Sequence, residues 1–282
     1  MKKIIFLIAV FAVLILKSAI VQAQSELLLL MDDDSLVKET KDYITRVKND
    51  EGAVVDKKFI NSLIKLAKKD GYFDKISFWV SASGGLKLNN NFVDKQYDIK
   101  GNDITKTDID ARPLFVNSIA KNKPGILYDG KNDFLENKDY YSDHPLTIVL
   151  VIKQTNEMNK EAILDSRNGK PNTVYFKKGN EFLEPLVIES GKKFESSTID
   201  TLVNMLFVEM NGKDSKVYLN AENFGSGELS QGGFDGIILG SLGKINKGYF
   251  LGGYIFEIGV INLILDENKR IKLNDFLTKQ YK

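Results

Sequence analysis

The spacing of apolar residues changes period along the chain, and each change marks an element. Leu36, Thr40, Tyr43, Ile44 and Val47 fall at helical spacing, as do Val55, Phe59, Ile60, Leu63 and Ala67. With the polar Asp50-Glu51-Gly52 between them, these stretches predict two amphipathic helices. An aromatic cluster of Tyr72, Phe73, Phe78 and Trp79 follows, and Ser81-Ala82-Ser83-Gly84-Gly85 ends it.

From there the pattern is that of strands. Leu146 to Ile152 is almost wholly apolar, as a strand covered on both faces requires, and His144-Pro145 stands at its entrance. Further strands are expected around Ala162–Asp165, Thr173–Lys178 and Glu184–Glu189, joined by turn-rich, basic linkers. Met205 to Leu219 reads as a hairpin around Asn211-Gly212-Lys213-Asp214-Ser215, where the glycine takes the positive φ of the reversal. Phe250 to Leu265 alternates, with Tyr254, Phe256, Ile258 and Val260 on one face and Ile255 and Glu257 on the other. Glu257 is thereby expected on a partly exposed face. Gly252, Gly253 and Gly259 point to a bulge or a close approach by a neighbouring strand. Asp266 has N-cap chemistry for a closing helix, with Lys269, Arg270 and Lys272 outward and Ile271, Phe276 and Leu277 packing inward.

The first 23 residues follow a different logic. Lys2 and Lys3, an apolar run from Ile4 to Leu16 and the small-residue pattern of Val21-Gln22-Ala23 read as a secretory signal peptide cleaved before Gln24. The apolar run stops at Lys17, short of the roughly 20 residues of a spanning helix. The expectation is an exported protein in the periplasm, at the cell surface or in the medium, with no membrane span in the mature chain. Its organisation is a leader at 1–23, a helical segment at 24–85 and a β-domain at 86–282. The chain has no cysteine, so its stability must come from its core rather than from disulfides. Charge is balanced at 39 basic against 38 acidic residues. Removing Lys2, Lys3 and Lys17 leaves 39 − 3 = 36 against 38, with no excess to draw the chain onto nucleic acid or anionic lipid.

Candidate chemistry is sparse. His144 is the lone histidine, which rules out a multi-histidine metal centre. Asp129, Asn132 and Asp133 make an oxygen-rich loop that is the candidate calcium site, although its spacing is not that of an EF-hand and an Asp-Gly hairpin turn demands the same residues. Tyr140, Tyr141, Asn168 and Asn172 are the candidate sugar-contacting residues, because an aromatic face plus amide donors suits a carbohydrate. The Tyr72–Trp79 aromatics could stack on sugars, but residues that large more often bury a helix–sheet interface.

Three stretches carry a resemblance: VEMNGKDSKVYLNAENF, GIILGSL and YFLGGYIFEIGVINLILDENKRIKLNDFLTKQY, preceded by QYDIKGNDITKTDIDARPLFV, NKPGILYDGKNDFLE and HPLTIVLVIK. Their order resembles the concanavalin A-like lectin/glucanase superfamily, in its non-catalytic laminin G-like branch, over roughly 86–282. The resemblance implies a mainly β fold, an antiparallel jelly-roll β-sandwich, here with an N-terminal helical unit and a short C-terminal helix. Glucanases of this fold carry their acid and nucleophile as Glu-x-Asp-x-x-Glu on one strand, and no such run occurs; Glu181, Glu184 and Glu189 have the wrong spacing and Glu257 stands alone. The expectation is therefore no enzyme but an exported lectin-like binding or adhesion module that recognises glycan or a protein surface through rim loops. The alternatives are a structural subunit of an extracellular or virion assembly, and a glycoside hydrolase with an unrecognised carboxylate pair.

Overall fold

A computed structural model describes residues 35–106, 108–155, 161–168, 173–176, 186–190, 192–195, 202–229, 232–243 and 249–282. Residues 1–23, read above as a leader, and Glu181, Glu184 and Asn172 lie outside these residues. The protein is mainly β, with antiparallel pairing throughout and helices at both ends of the described chain. No described helix is long and apolar enough to cross a membrane.

The strands form two rows. In one, Glu222–Gly227, Ser215–Leu219, Asn204–Met210, Leu146–Gln154 and Gly252–Ile261 pair in succession. The far edge of Gly252–Ile261 is shared, its first half by Lys123–Asp129 and its second by Ile76–Ser81. In the other row, Lys192–Glu195, Leu186–Ser190, Thr173–Phe176, Glu161–Ser166, Asp235–Leu239 and Leu135–Tyr141 pair in succession. The strand Phe92–Tyr97 touches both rows, pairing with Leu114 of one side and with the short Ile104–Thr105 strand, which reaches Leu135–Tyr141. All pairings thus belong to one continuous sheet that turns back over itself.

Two apolar cores result. Leu150, Leu206 and Ile258 from the first row meet Ile163, Ile188 and Leu239 from the second in the inner core. The outer core lies between the opposite face of the first row, through Val149, Val151, Met205 and Phe207, and the helices. Both faces of Leu146–Gln154 are therefore covered, as its almost wholly apolar run from Leu146 to Ile152 requires. The Met205–Leu219 hairpin is also present, with Gly212 at φ 59°.

The helices Lys38–Asn49 and Lys57–Lys69 lie where the periodicity predicts them. Asp56 caps the second by accepting from Phe59 N–H at 2.9 Å. Tyr43, Val47, Phe59, Ile60 and Leu63 make the helical side of the outer core, together with Leu273, Leu277 and Tyr281 of the C-terminal helix Glu267–Tyr281. Burying each of these aliphatic side chains stabilises the fold by roughly 2 kcal/mol. The stretch before residue 86 adds more than helices, since Ile76–Ser81 is paired along Gly252–Ile261. Tyr72, Phe78 and Trp79 are fully buried, so they pack the interior and offer no sugar platform.

Several expectations require correction. Glu257 is buried, not half-exposed. Ile255 opposes Ile152 while Glu257 opposes Val151, so Phe256 is the extra residue of a bulge. The bulge sets Phe256 and Glu257 successively on the helical side, and the strict alternation read from the sequence fails there. Gly259 is instead where the neighbouring strand comes close, as one arm of the expectation had it: it pairs with Trp79, whose ring leaves no room for an added Cβ. Glu257 accepts hydrogen bonds from Trp79 Nε1 at 2.8 Å, Ser81 Oγ and Tyr281 Oη. In the last helix Arg270 is buried, its guanidinium over the Tyr218 ring and 3.5 Å from Glu209, while Ile271 is exposed. The helix shows its solvent face at Ile271 because the inward stripe runs through Arg270, Leu273, Asn274, Leu277 and Tyr281.

Candidate active site

The candidate site is a cleft of about 540 Å³ between three segments distant in sequence. One wall is the hairpin joining Gly85–Asn89 to Phe92–Tyr97. Its tip, Asn90 and Asn91, takes φ 52° and 68°, the left-handed conformation that asparagine tolerates better than other non-glycine residues. That turn brings Asn89, Asn90 and Phe92 to the cleft, with Phe92 40% exposed.

A second wall is the short turn Ile109–Ala111, started by Asp108, whose side chain accepts from Asp110 N–H. It supplies Ile109, Asp110 and Arg112. Ile109 is 63% exposed, a large apolar side chain held at the mouth. Arg112 is buried, ion-paired to Asp94, bonded through Nε to Ile109 O at 3.3 Å, and stacked over the Phe92 ring at 5.6 Å. These contacts make Arg112 a strut between the two walls.

The third wall is the loop after Lys123–Asp129, where the expected Asp-Gly turn forms with Gly130 at φ 77°. Asp129 Oδ1 accepts from Lys131 N–H at 2.9 Å and Asn132 N–H at 3.3 Å. Asp133 Oδ2 accepts from Asp129 N–H at 2.9 Å, and Asn132 Nδ2 donates to Asp110 O. The loop is thereby tied to the neighbouring turn, and Asp110, Asp129 and Asp133 are gathered on one cleft. Asp133 is only 6% exposed. Burial, reinforced by the charge of Asp129, pushes its carboxyl up to about 6 against one opposing backbone hydrogen bond. A carboxyl that keeps its proton up to about pH 6 beside another carboxyl is an arrangement that suits acid–base chemistry.

The sequence-derived sites fare unevenly. Asp129, Asn132 and Asp133 do come together, but the Asp129 and Asp133 carboxylates accept backbone N–H groups within the turn, and Asn132 Nδ2 donates to Asp110 O to tie it to its neighbour. No group of three or more His, Cys, Asp or Glu side chains suited to a metal occurs among the described residues. Tyr140 is buried, its ring against Phe78 and Phe234 and its hydroxyl 2.9 Å from Ser77 Oγ, and it is no rim residue. Tyr141, one residue on, points outward and is 69% exposed. Asn168 donates to Lys138 O at 2.8 Å, and Asn172 lies outside the described residues. Of the described candidates, Tyr140, Tyr141 and Asn168 do not line the cleft, whereas Asp129 and Asp133 do. The sequence reading missed Phe92, Asp110 and Arg112; the Asn89-Asn90-Asn91 run, a left-handed turn signal, was the trace that could have found their wall.

No protein-family model matches the chain, and no curated protein matches it in sequence. Solved structures do match in shape. A Trypanosoma rangeli sialidase in complex with sialic acid superposes with a TM-score of 0.55 at 11% identity, over 78% of this chain and 38% of the sialidase. Domain 4 of AbnA, a GH43 extracellular arabinanase from Geobacillus stearothermophilus, in complex with arabinotriose, gives 0.50 at 16% identity, over 72% of this chain and 98% of that domain. An arabinofuranosidase complexed with arabinofuranosyl-alpha-1,2-xylobiose gives 0.52 at 13% identity, over 67% and 51%. Their fold is shared with this chain.

The chain spans well under half the length of the sialidase and about half that of the arabinofuranosidase. These neighbours, all drawn from glycan-cleaving enzymes, correct the expectation of a non-catalytic lectin-like module and of a chain that is no enzyme. The alternative of a glycoside hydrolase with an unrecognised carboxylate pair accords with them better. The missing Glu-x-Asp-x-x-Glu run excludes one placement, with both carboxylates on a single strand. The carboxylates that line the cleft come from a short turn, a strand end and a loop, a combination invisible to any local motif.

Proposed function

We propose that this protein is a glycan-active enzyme that hydrolyses glycosidic bonds in the cleft formed by Asp110, Asp129 and Asp133. The observation that carries the reading is Asp133, a nearly buried carboxyl raised to about 6, beside an exposed carboxylate and an exposed aromatic in one cleft. Glycoside hydrolysis needs a carboxylic acid to protonate the departing oxygen and a second carboxylate to act as nucleophile or to activate water. Asp133 takes the first role, because it keeps its proton to higher pH than an ordinary carboxyl. Asp129 or Asp110 takes the second. Phe92 offers a ring face for the apolar side of a sugar, and Ile109 narrows the mouth.

The glycosidase neighbours support this reading through fold alone, and fold by itself does not fix chemistry. The facing of the two strand rows across one core agrees with a concanavalin A-like sandwich. The leader pattern of Met1 to Ala23 favours action outside the cytoplasm, where polymeric glycans are met. The test is release of reducing ends from arabino-, xylo- and other oligosaccharides by the purified chain. Asp133→Asn should lower turnover by about 100-fold or more, the usual worth of a general acid. Undiminished turnover in that variant, or binding of oligosaccharide without any cleavage by the wild type, would overturn the proposal.

A further inference from the structure

Resting on that reading of the site, we infer that the cleft selects uncharged glycans and excludes acidic ones such as sialosides and uronides. Charge makes this selection. Among the described residues that line the cleft, Asp110, Asp129 and Asp133 are the acids and Arg112 is the cation. Arg112 does not act as a free cation. It is buried, its Nη1 is ion-paired to Asp94, its Nε is bonded to Ile109 O, and its face is stacked on Phe92.

Recognition of a sugar carboxylate calls for an arginine fork or equivalent donors presented to the ligand. Among the described residues, the nearby cations do not provide one. The Lys106 ammonium lies 3.3 Å from the centroid of the Phe134 ring and belongs to a separate polar groove with Glu136 and Lys138. Lys131 gives its backbone N–H to Asp129 and stands exposed without lining the cleft. An anionic ligand would therefore meet the Asp110 and Asp129 carboxylates without compensation.

What remains for recognition is neutral. Asn89 and Asn90 present amides at the hairpin tip, and Phe92, Ile109, Leu114 and Leu127 supply apolar surface. Amides suit sugar hydroxyls, and apolar surface suits the C–H face of a pentose or hexose ring.

The test uses the full chain and three ligands of similar size: arabinotriose, sialyl-lactose and trigalacturonic acid. NMR reads binding and product formation separately in one sample at low salt. The expected result is arabinotriose, or another neutral trisaccharide, bound at least about tenfold more tightly than either acidic ligand. Raising the salt should narrow the gap, and so should Asp110→Lys, which replaces an exposed acid with a cation. An acidic ligand bound as tightly as the neutral one overturns the inference, and so does failure to bind any neutral ligand. Selective binding of the neutral ligand without cleavage overturns the hydrolase reading and leaves the charge selection standing. Cleavage of sialyl-lactose in preference to neutral sugars does the reverse.

Discussion

Replacing Glu257 by glutamine should remove a pH dependence of stability that the fold itself creates. Glu257 lies wholly buried beneath the C-terminal helix, and burial pushes its carboxyl from 4.5 up to about 7 against the hydrogen bonds from Ser81, Tyr281 and Trp79. The folded chain then holds this proton to about pH 7, whereas the unfolded chain gives it up near 4.5. Between those values the folded state binds more protons, so stability is fully present below about 4.5 and falls as pH rises through about 7. At ~1.4 kcal/mol per pH decade of displacement, the loss comes to about 3 kcal/mol. Glutamine has nearly the same shape and no titration. It turns an amide toward Trp79 Nε1 or the hydroxyls, a penalty that does not vary with pH. The assay is urea unfolding of wild type and Glu257→Gln from about pH 4.5 to about 7.5. The difference between the two profiles isolates Glu257 from every other carboxyl. Wild type should lose about 3 kcal/mol more than the variant across that range. Parallel profiles would refute the reasoning, because they would mean that the three donors hold the carboxylate ionised throughout.

Other consequences follow from the same packing and from the cleft. Gly259→Ala places a methyl 2.4 Å from a ring atom of fully buried Trp79, and urea unfolding should show about 1–3 kcal/mol of lost stability. Arg270→Met strands Glu209 in the interior, at a cost of about 3–5 kcal/mol in the same assay. Adding Glu209→Met to that variant should recover most of the loss. Asp266→Ala removes the acceptor for Lys269 N–H, and the C-terminal helix should weaken by about 1 kcal/mol, visible as faster amide exchange in its first turn. In the cleft, kcat/KM should fall as pH rises above about 6, where Asp133 loses its proton. Because the Asp129 charge helps to raise Asp133, Asp129→Asn should move that falling limb to lower pH in whatever residual activity remains; an upward move would contradict the assignment.

How much of this was legible in the sequence follows from the range of each signal. Local periodicity placed the Lys38–Asn49 and Lys57–Lys69 helices, the doubly covered Leu146–Gln154 strand, the Asn204–Leu219 hairpin and the Asp266 cap. Alternation failed at Phe256, since a bulge leaves no mark in the identity of the residue it displaces. Arg270 was read as exposed because a long cation on a short helix usually is, and only Glu209 and Tyr218, some fifty to sixty residues earlier, make its burial tolerable. Tyr140 and Tyr141 look alike in sequence, and strand parity alone sends one to the core and the other to solvent. Of the cleft, the Asp129–Asp133 turn was legible as a turn. Its use as one wall was not, because the Asn90 hairpin and the Asp110 turn that complete it lie about twenty to forty residues away. A search for one strand bearing both carboxylates could not find a pair assembled from separate loops.

Whether Asp133 is the acid of a glycoside hydrolase is decided by a side-by-side turnover measurement of wild type and Asp133→Asn on neutral oligosaccharides near pH 5.5, with folding of both confirmed by matching unfolding midpoints. Hydrolysis with Asp133 as the acid requires reducing-end release by the wild type and a loss of about 100-fold or more in the variant. Equal rates in the two proteins, or no cleavage by the wild type, would contradict it.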